Sequence, residues 1–85
     1  MNHKKNIAID VIGWYGVLAL LASYALASFG VIVAHSVTYQ ALNVTGALGI
    51  VIEALSKKDY EPAFLNIVWA VIGIVALVGI IRALS

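Results

Sequence analysis

The side chains that could bind or react are few, and the most notable of them are amides set in long apolar stretches. Asn43 and Asn66 each lie among aliphatic residues, and Trp69 follows Asn66 by about one helical turn. An amide in apolar surroundings must find hydrogen-bond partners. A neighbouring helix could supply them, or a polar solute could be held by the amides and stacked on the indole. We predict that Asn43, Asn66 and Trp69 are the candidate ligand-binding residues.

No arrangement of residues typical of an enzyme is present. The sequence has no paired-carboxylate site, no metal-ligand spacing, no phosphate-binding glycine loop and no nucleophile beside a base. It contains no cysteine, which excludes disulfides and thiolate metal sites. We therefore expect a protein that is not an enzyme, with no catalytic residues, no cofactor and no metal. The isolated Asp10 is expected to cap a helix or reach water, and Glu53 to be an interfacial carboxylate or, less readily, a proton carrier.

The composition fits lipid as the solvent. Of the 85 residues, 64% are hydrophobic and 11% are charged, whereas soluble domains carry roughly 25% charged residues. A soluble fold of this size would leave too much apolar surface in water. The net charge of +1 gives no footprint for nucleic acid. We expect the lipid bilayer as the main partner.

The gaps between charged residues predict the number of spans. No Asp, Glu, Lys or Arg occurs between Val11 and Ile52, a run long enough for two crossings, and polar residues around His35 divide it. A charged turn then ends at Pro62, which suits the first turn of a helix. We predict an all-α membrane protein with one domain over residues 1–85, a three-transmembrane-helix bundle with spans at about 10–33, 37–55 and 63–83.

The lysines predict an orientation in the cell (inner) membrane. Lys4 and Lys5 precede the first span, and Lys57 and Lys58 separate the second from the third, so three spans place both pairs on one side. The positive-inside rule then places the N-terminus in the cytoplasm and the C-terminus outside. A cleaved signal peptide is the alternative, but the apolar stretch is long for one.

Small residues mark the faces on which helices could pack. Such residues let helix backbones approach closely in lipid, although they could also line a substrate path. The predicted helix-packing residues are Gly16, Ala19, Ser23, Ala27, Gly46, Gly49 and Gly73.

The segment from Lys58 to Asn66, KDYEPAFLN, followed by an apolar helix, resembles the same region of bacterial SemiSWEET proteins of the PQ-loop superfamily. The resemblance implies three-span units that pair as parallel dimers around a sugar path, with Asn66 at the position of a sugar-facing Asn. The family's signature Pro-Gln near the end of the first span is absent. The pocket Trp of the second span is absent as well, and Ile50 stands about where it would be.

The chain resembles more closely a group of small bacterial membrane proteins. The three motifs shared with them, in order along the chain, are Gly13-Trp14-Tyr15-Gly16, Tyr39-Gln40-Ala41-Leu42-Asn43-Val44-Thr45-Gly46 and Leu65-Asn66-Ile67-Val68-Trp69. This similarity implies a shared fold and brings no activity with it.

Two functional hypotheses remain open at this point. In the first, the chain is half of a transporter for a small polar solute and acts as a homodimer, because three helices enclose little volume alone. In the second, it is a non-transporting structural or accessory subunit whose small-residue faces bind a second copy or a larger partner.

Overall fold

A computed structural model describes residues 6–33 and 36–84. The described residues form three α-helices: α1 (Ile7–Ser28), α2 (Val37–Ser56) and α3 (Tyr60–Leu84). The prediction of an all-helical chain with three helices is therefore confirmed. The molecule is elongated, with principal extents of 48 × 23 × 19 Å.

The first helix begins and ends earlier than its predicted span. Asn6, rather than Asp10, is the N-cap, because its Oδ1 accepts a hydrogen bond from the Ile9 N–H at 3.3 Å. At the other end, Gly30 has a φ of +79°. The Val31 N–H donates back to the Leu26 carbonyl at 2.8 Å, a pattern that ends a helix and suits glycine. The helix α1 therefore ends at Ser28.

The second turn is built in the same way but without a glycine. Lys58 takes the left-handed position, with a φ of 58°, and the Asp59 N–H donates to the Ala54 carbonyl at 2.8 Å. The turn is so short that α3 begins at Tyr60, earlier than the span predicted from residue 63. Pro62 lies in the first turn of α3, where its missing N–H costs little.

The α2 helix lies between the other two and packs against both, while α1 and α3 make no contact with each other over the described residues. Both pairings are antiparallel. Gly16 faces Gly46 on one side of α2, and Gly73 faces Val44 on the other. The three helices therefore form an open layer whose two helix–helix interfaces both involve α2.

The distribution of buried residues in this layer is the reverse of that in a soluble core, because small and polar residues are buried and large apolar ones are exposed. The buried residues are small side chains and two amides, the largest apolar ones among them being two valines: Gly13, Gly16, Ala19, Ser23, Asn43, Val44, Gly46, Ala47, Gly49, Val51, Ala54, Ala63, Asn66, Ala70 and Gly73. Large apolar side chains point outward, among them Leu18, Leu21, Val71 and Val75. Two helices, α1 and α3, are long and apolar enough to cross a membrane; α2, which carries Gln40, Asn43 and Glu53, does not meet the same criterion.

Candidate functional site

A groove runs between α2 and α3 and is open along one side. It encloses about 430 Å³, and the side chains that line this α2–α3 groove are Tyr39, Gln40, Asn43, Leu65, Val68, Trp69, Ile72 and Gly73. Two of the three predicted ligand-binding residues, Asn43 and Trp69, are therefore brought together at one cavity. A cleft with apolar walls and a few convergent polar groups has the form of a small-molecule site.

The polar wall of the groove comes from one turn of α2. Tyr39 and Asn43 are four residues apart and Gln40 and Asn43 three apart, so all three share a helix face. The Asn43 Nδ2 donates to the Tyr39 carbonyl at 2.8 Å. An amide has two donor hydrogens and an acceptor oxygen, so this bond leaves Asn43 able to bind a second group. Sequence analysis missed Tyr39 and Gln40, although their spacing from Asn43 could have revealed them.

The opposite wall comes from α3 and is apolar. Leu65, Val68, Trp69 and Ile72 recur at intervals of one, three and four residues and form a continuous stripe. Trp69 is the largest of them, and about half of its surface (49%) is exposed. The indole is therefore available to a molecule in the groove rather than buried in the contact with α2.

Asn66, the third predicted ligand-binding residue, is not among the residues that line this groove. It is only 7% exposed, and its Nδ2 donates to the Pro62 carbonyl of its own helix at 2.9 Å. On α3, Asn66 shares the buried face of Ala70, Trp69 belongs to the adjacent stripe, and Gly73 borders both the buried face and the groove. Asn66 and Trp69 are three residues apart and therefore about 60° from each other around the helix, and the sequence does not show which of the two borders a cavity.

The predicted small residues of α1 and α2 lie where the two helices meet. A Cβ atom added to Gly16 would be 2.5 Å from the Gly46 carbonyl oxygen, and one added to Gly49 would be 2.7 Å from the Ile12 carbonyl oxygen. The backbones are thus as close as glycine permits. We call the contact of Gly16, Gly46 and Gly49 the glycine seam.

The other predicted packing residues are less uniform. Ala19 lies beside the seam, 3.2 Å from the Cβ that Gly46 would carry. Ser23 is buried, and its Oγ donates to the Leu20 carbonyl at 2.9 Å. Ala27, near the end of α1, is half-buried. Gly73 packs not at the seam but on α3, where an added Cβ would be 2.7 Å from Val44 Cγ2.

Two contacts between α1 and α2 were missed by sequence analysis. The Tyr15 hydroxyl lies 2.7 Å from Thr45 Oγ1, and Thr45 Oγ1 in turn donates to the Ala41 carbonyl at 2.8 Å. The Glu53 carboxylate rests directly on Gly13, in space that any side chain there would fill. The Gly13 position, three residues before Gly16, was a visible signal for this close approach.

A small charged cluster joins α1 and α2 at the end where the chain turns toward α3. Lys57 Nζ is 3.0 Å from Glu53 Oε2 and 3.8 Å from Asp10 Oδ1. The hydrogen bond to Glu53 raises the pKa of Lys57 above its ordinary value. The cluster borders a second cavity of about 320 Å³ that Trp14 and Val17 also line. The Lys4, Lys5 and His35 side chains discussed above lie outside the described residues.

Comparison with known proteins places the chain in a family. A family model matches residues 9–84, which include the glycine seam and the whole α2–α3 groove. The chain belongs to that family. The match brings no activity with it. No curated protein matches the chain, and no solved structure does.

Proposed function

We propose that this chain is an integral membrane protein that crosses the bilayer three times. The support is the reversed burial: small residues and amides lie inside, and large aliphatic side chains point outward from α1 and α3. Exposed apolar surface on this scale is unfavourable in water and costs nothing in lipid. The less apolar α2 fits this arrangement because it is flanked by the two apolar helices.

The charged cluster supports the orientation predicted from the lysines. Lys57 and Lys58 lie at the end of the layer where α1 begins, as the contact between Lys57 and Asp10 requires. We propose that this end faces the cytoplasm, so that the N-terminus is cytoplasmic and the C-terminus is outside. A Lys58→Cys variant should then react with a membrane-impermeant maleimide only in inside-out vesicles.

Within the membrane, we propose that the chain binds a small polar solute in the α2–α3 groove and works as half of a homodimeric transporter. The observation that carries this proposal is the groove itself, which Gln40 and Asn43 line from α2 and Trp69 lines from α3. Its open side would be closed by a second copy, which fits the requirement that three helices alone enclose little volume. The resemblance to SemiSWEET units supports the pairing of two copies, whereas Asn66, the residue it implies as sugar-facing, lies outside this groove.

Uptake by proteoliposomes tests this proposal. Labelled glucose, sucrose and glycerol are suitable first probes, with empty liposomes as the background. We expect uptake by the wild type and at least a tenfold loss in Asn43→Leu, which replaces the amide by an apolar side chain of the same branched shape. Asn66→Leu is the matched control because Asn66 is equally buried but lies outside the groove. Absence of uptake for every probe, or equal uptake by Asn43→Leu, would reject the proposal.

A non-transporting accessory subunit is the second candidate, and one position on α3 favours it. A Cβ atom added to Gly79 would meet nothing within 4 Å, so a helix of another protein could approach closely there. A photo-crosslinking residue at position 79 in native membranes should then capture one defined partner. A chain that stays uncrosslinked there, while the uptake assay succeeds, would exclude this alternative.

A further inference from the structure

We infer that the α2–α3 groove selects an uncharged, amphipathic solute with one polar edge and one apolar face. Gln40 is its principal recognition group, and Gly73 limits the size of the solute. This inference rests on the proposed function, since it concerns the same groove. It adds the chemical class of the ligand and two specificity-determining residues that sequence analysis did not assign to ligand recognition.

The lining of the groove indicates an uncharged solute. None of the described lining residues carries a charge at neutral pH. Glu53, the charged residue of α2, lies about 15 Å further along the helix than Asn43. An ion placed in apolar surroundings without a counter-charge pays a large desolvation penalty, whereas a neutral polar group needs only hydrogen-bond partners. The groove supplies such partners and no counter-charge.

The two walls indicate a solute with two different faces. Tyr39, Gln40 and Asn43 line the α2 side, and the apolar stripe with Trp69 lines the α3 side. A molecule that matches both walls carries donors and acceptors along one edge and a flat or aliphatic surface on the other. A planar ring with a polar substituent satisfies both, because the ring stacks on the indole while the substituent pairs with the amides.

Gln40 is the amide with the most hydrogen-bonding capacity left for a ligand. Asn43 already donates to the Tyr39 carbonyl, whereas no other described residue bonds to the Gln40 side chain. Its full set of two donor hydrogens and an acceptor oxygen is therefore available. A primary amide or a similar group on the solute could pair with Gln40 through one donated and one accepted bond.

Gly73 sets the space next to that amide. A Cβ atom added at residue 73 would be 3.4 Å from the Gln40 Oε1, within ordinary contact distance, and would also press on Val44. A methyl group there would therefore occupy the volume beside Gln40 into which a ligand group must fit. Glycine keeps this part of the groove open.

Tryptophan fluorescence in proteoliposomes provides the test. The sequence has two tryptophans, so Trp14→Phe leaves Trp69 as the only reporter and changes nothing in the groove. Benzamide is the neutral probe with a ring and an amide edge, and benzoate and benzylammonium are charged probes of similar size. We expect saturable quenching by benzamide and at least tenfold weaker binding of both charged probes.

Substitutions then test the two residues. Gln40→Leu should weaken benzamide binding at least tenfold, and Gln40→Asn should retain part of it because the shorter side chain keeps the amide. Gly73→Ala should weaken binding as well. Asn66→Leu and Gly79→Ala are the matched controls outside the groove, and neither should alter affinity.

The possible outcomes separate this inference from transport. Benzoate binding as tightly as benzamide, or unchanged affinity in Gln40→Leu, overturns it, and so does the absence of saturable benzamide binding. If Gln40→Leu fails to fold, the comparison of neutral and charged probes on the parent protein still decides. Benzamide binding without uptake of any solute rejects the transporter and retains this inference. Uptake of a solute without benzamide binding rejects this inference and retains the transporter.

Discussion

The two sides of α2 differ in how they meet their neighbours. Toward α1, the glycine seam brings backbone against backbone, with the Gly46 carbonyl oxygen in space that a Gly16 Cβ would fill. Toward α3, contact is made through side chains, and the α2–α3 groove remains open between them. One helix thus forms both a closed interface and a cavity.

Polar contacts follow the same division. Tyr15 bonds to Thr45 and Lys57 pairs with Asp10, and both interactions join α1 to α2. Between α2 and residues 60–81 of α3, the described residues form no hydrogen bond or ion pair. We therefore propose that stability depends on the α1 face of α2 and solute binding on its α3 face, so a substitution at one face should leave the other property largely intact.

Gly16→Ala should have the largest effect on stability, because it disrupts the closed interface between α1 and α2. The new methyl group would meet a backbone carbonyl 2.5 Å away, which cannot rotate out of the way, so the helices must separate. We expect a loss of about 2–3 kcal/mol in the free energy of unfolding, measured by denaturant titration in detergent micelles. Gly79→Ala is the control, because its methyl group meets open space. Equal effects of the two substitutions would refute the seam as the main source of stability.

Gly73→Ala should be milder, because the atom it meets belongs to a side chain. Val44 Cγ2, 2.7 Å from the added Cβ, has to move by a small backbone or rotamer adjustment. A destabilisation of about 1 kcal/mol is expected from the same titration, together with the weaker benzamide binding described above. A loss as large as that of Gly16→Ala would show that the α2–α3 side is no softer than the seam.

Tyr15→Phe tests how much the hydrogen bond to Thr45 contributes to the α1–α2 interface, because it removes the hydroxyl group and keeps the ring. Hydrogen bonds between membrane helices contribute about 0.6 kcal/mol on average, so a loss of this size is expected. Tyr24→Phe, on an outward position of the same helix, should change nothing. Solute binding should be unaffected by either substitution, and a change in binding would show that the two faces of α2 are coupled.

The smallest effect should come from Lys57. The hydrogen bond to Glu53 raises the pKa of Lys57 above 10.5. The stabilisation that this ion pair gives the folded protein is therefore complete below pH 10.5, and it is lost as the pH rises through the pKa of Lys57 in the folded state. The thermal midpoint of the wild type should therefore exceed that of Lys57→Ala by a constant amount from neutral pH to 10.5, and the difference should shrink above it. A difference that already declines between those two pH values would contradict this assignment.

Sequence alone predicted the helices and their small-residue contacts because these depend on local patterns. A run without charges predicts an apolar helix. The stripe of Gly16, Ala19, Ser23 and Ala27 on α1, with the shorter stripe of Gly46 and Gly49 on α2, predicts a close approach. The position of each amide was not predictable, because the rotation of α3 against α2 decides whether residue 66 or residue 69 faces the groove. The sequence did not predict the Tyr15–Thr45 hydrogen bond either, since only the register of the antiparallel helices brings these two residues together.

The order of the interfaces along the chain also has a consequence for biosynthesis. The glycine seam, the Tyr15–Thr45 bond and the Lys57 cluster all lie before Asp59, so α1 and α2 contain every group needed for their own docking. This hairpin can assemble while α3 is still being translated. The α2–α3 groove, by contrast, exists only once α3 has been made and has packed against α2, so a truncated chain could retain the paired helices and lack the groove.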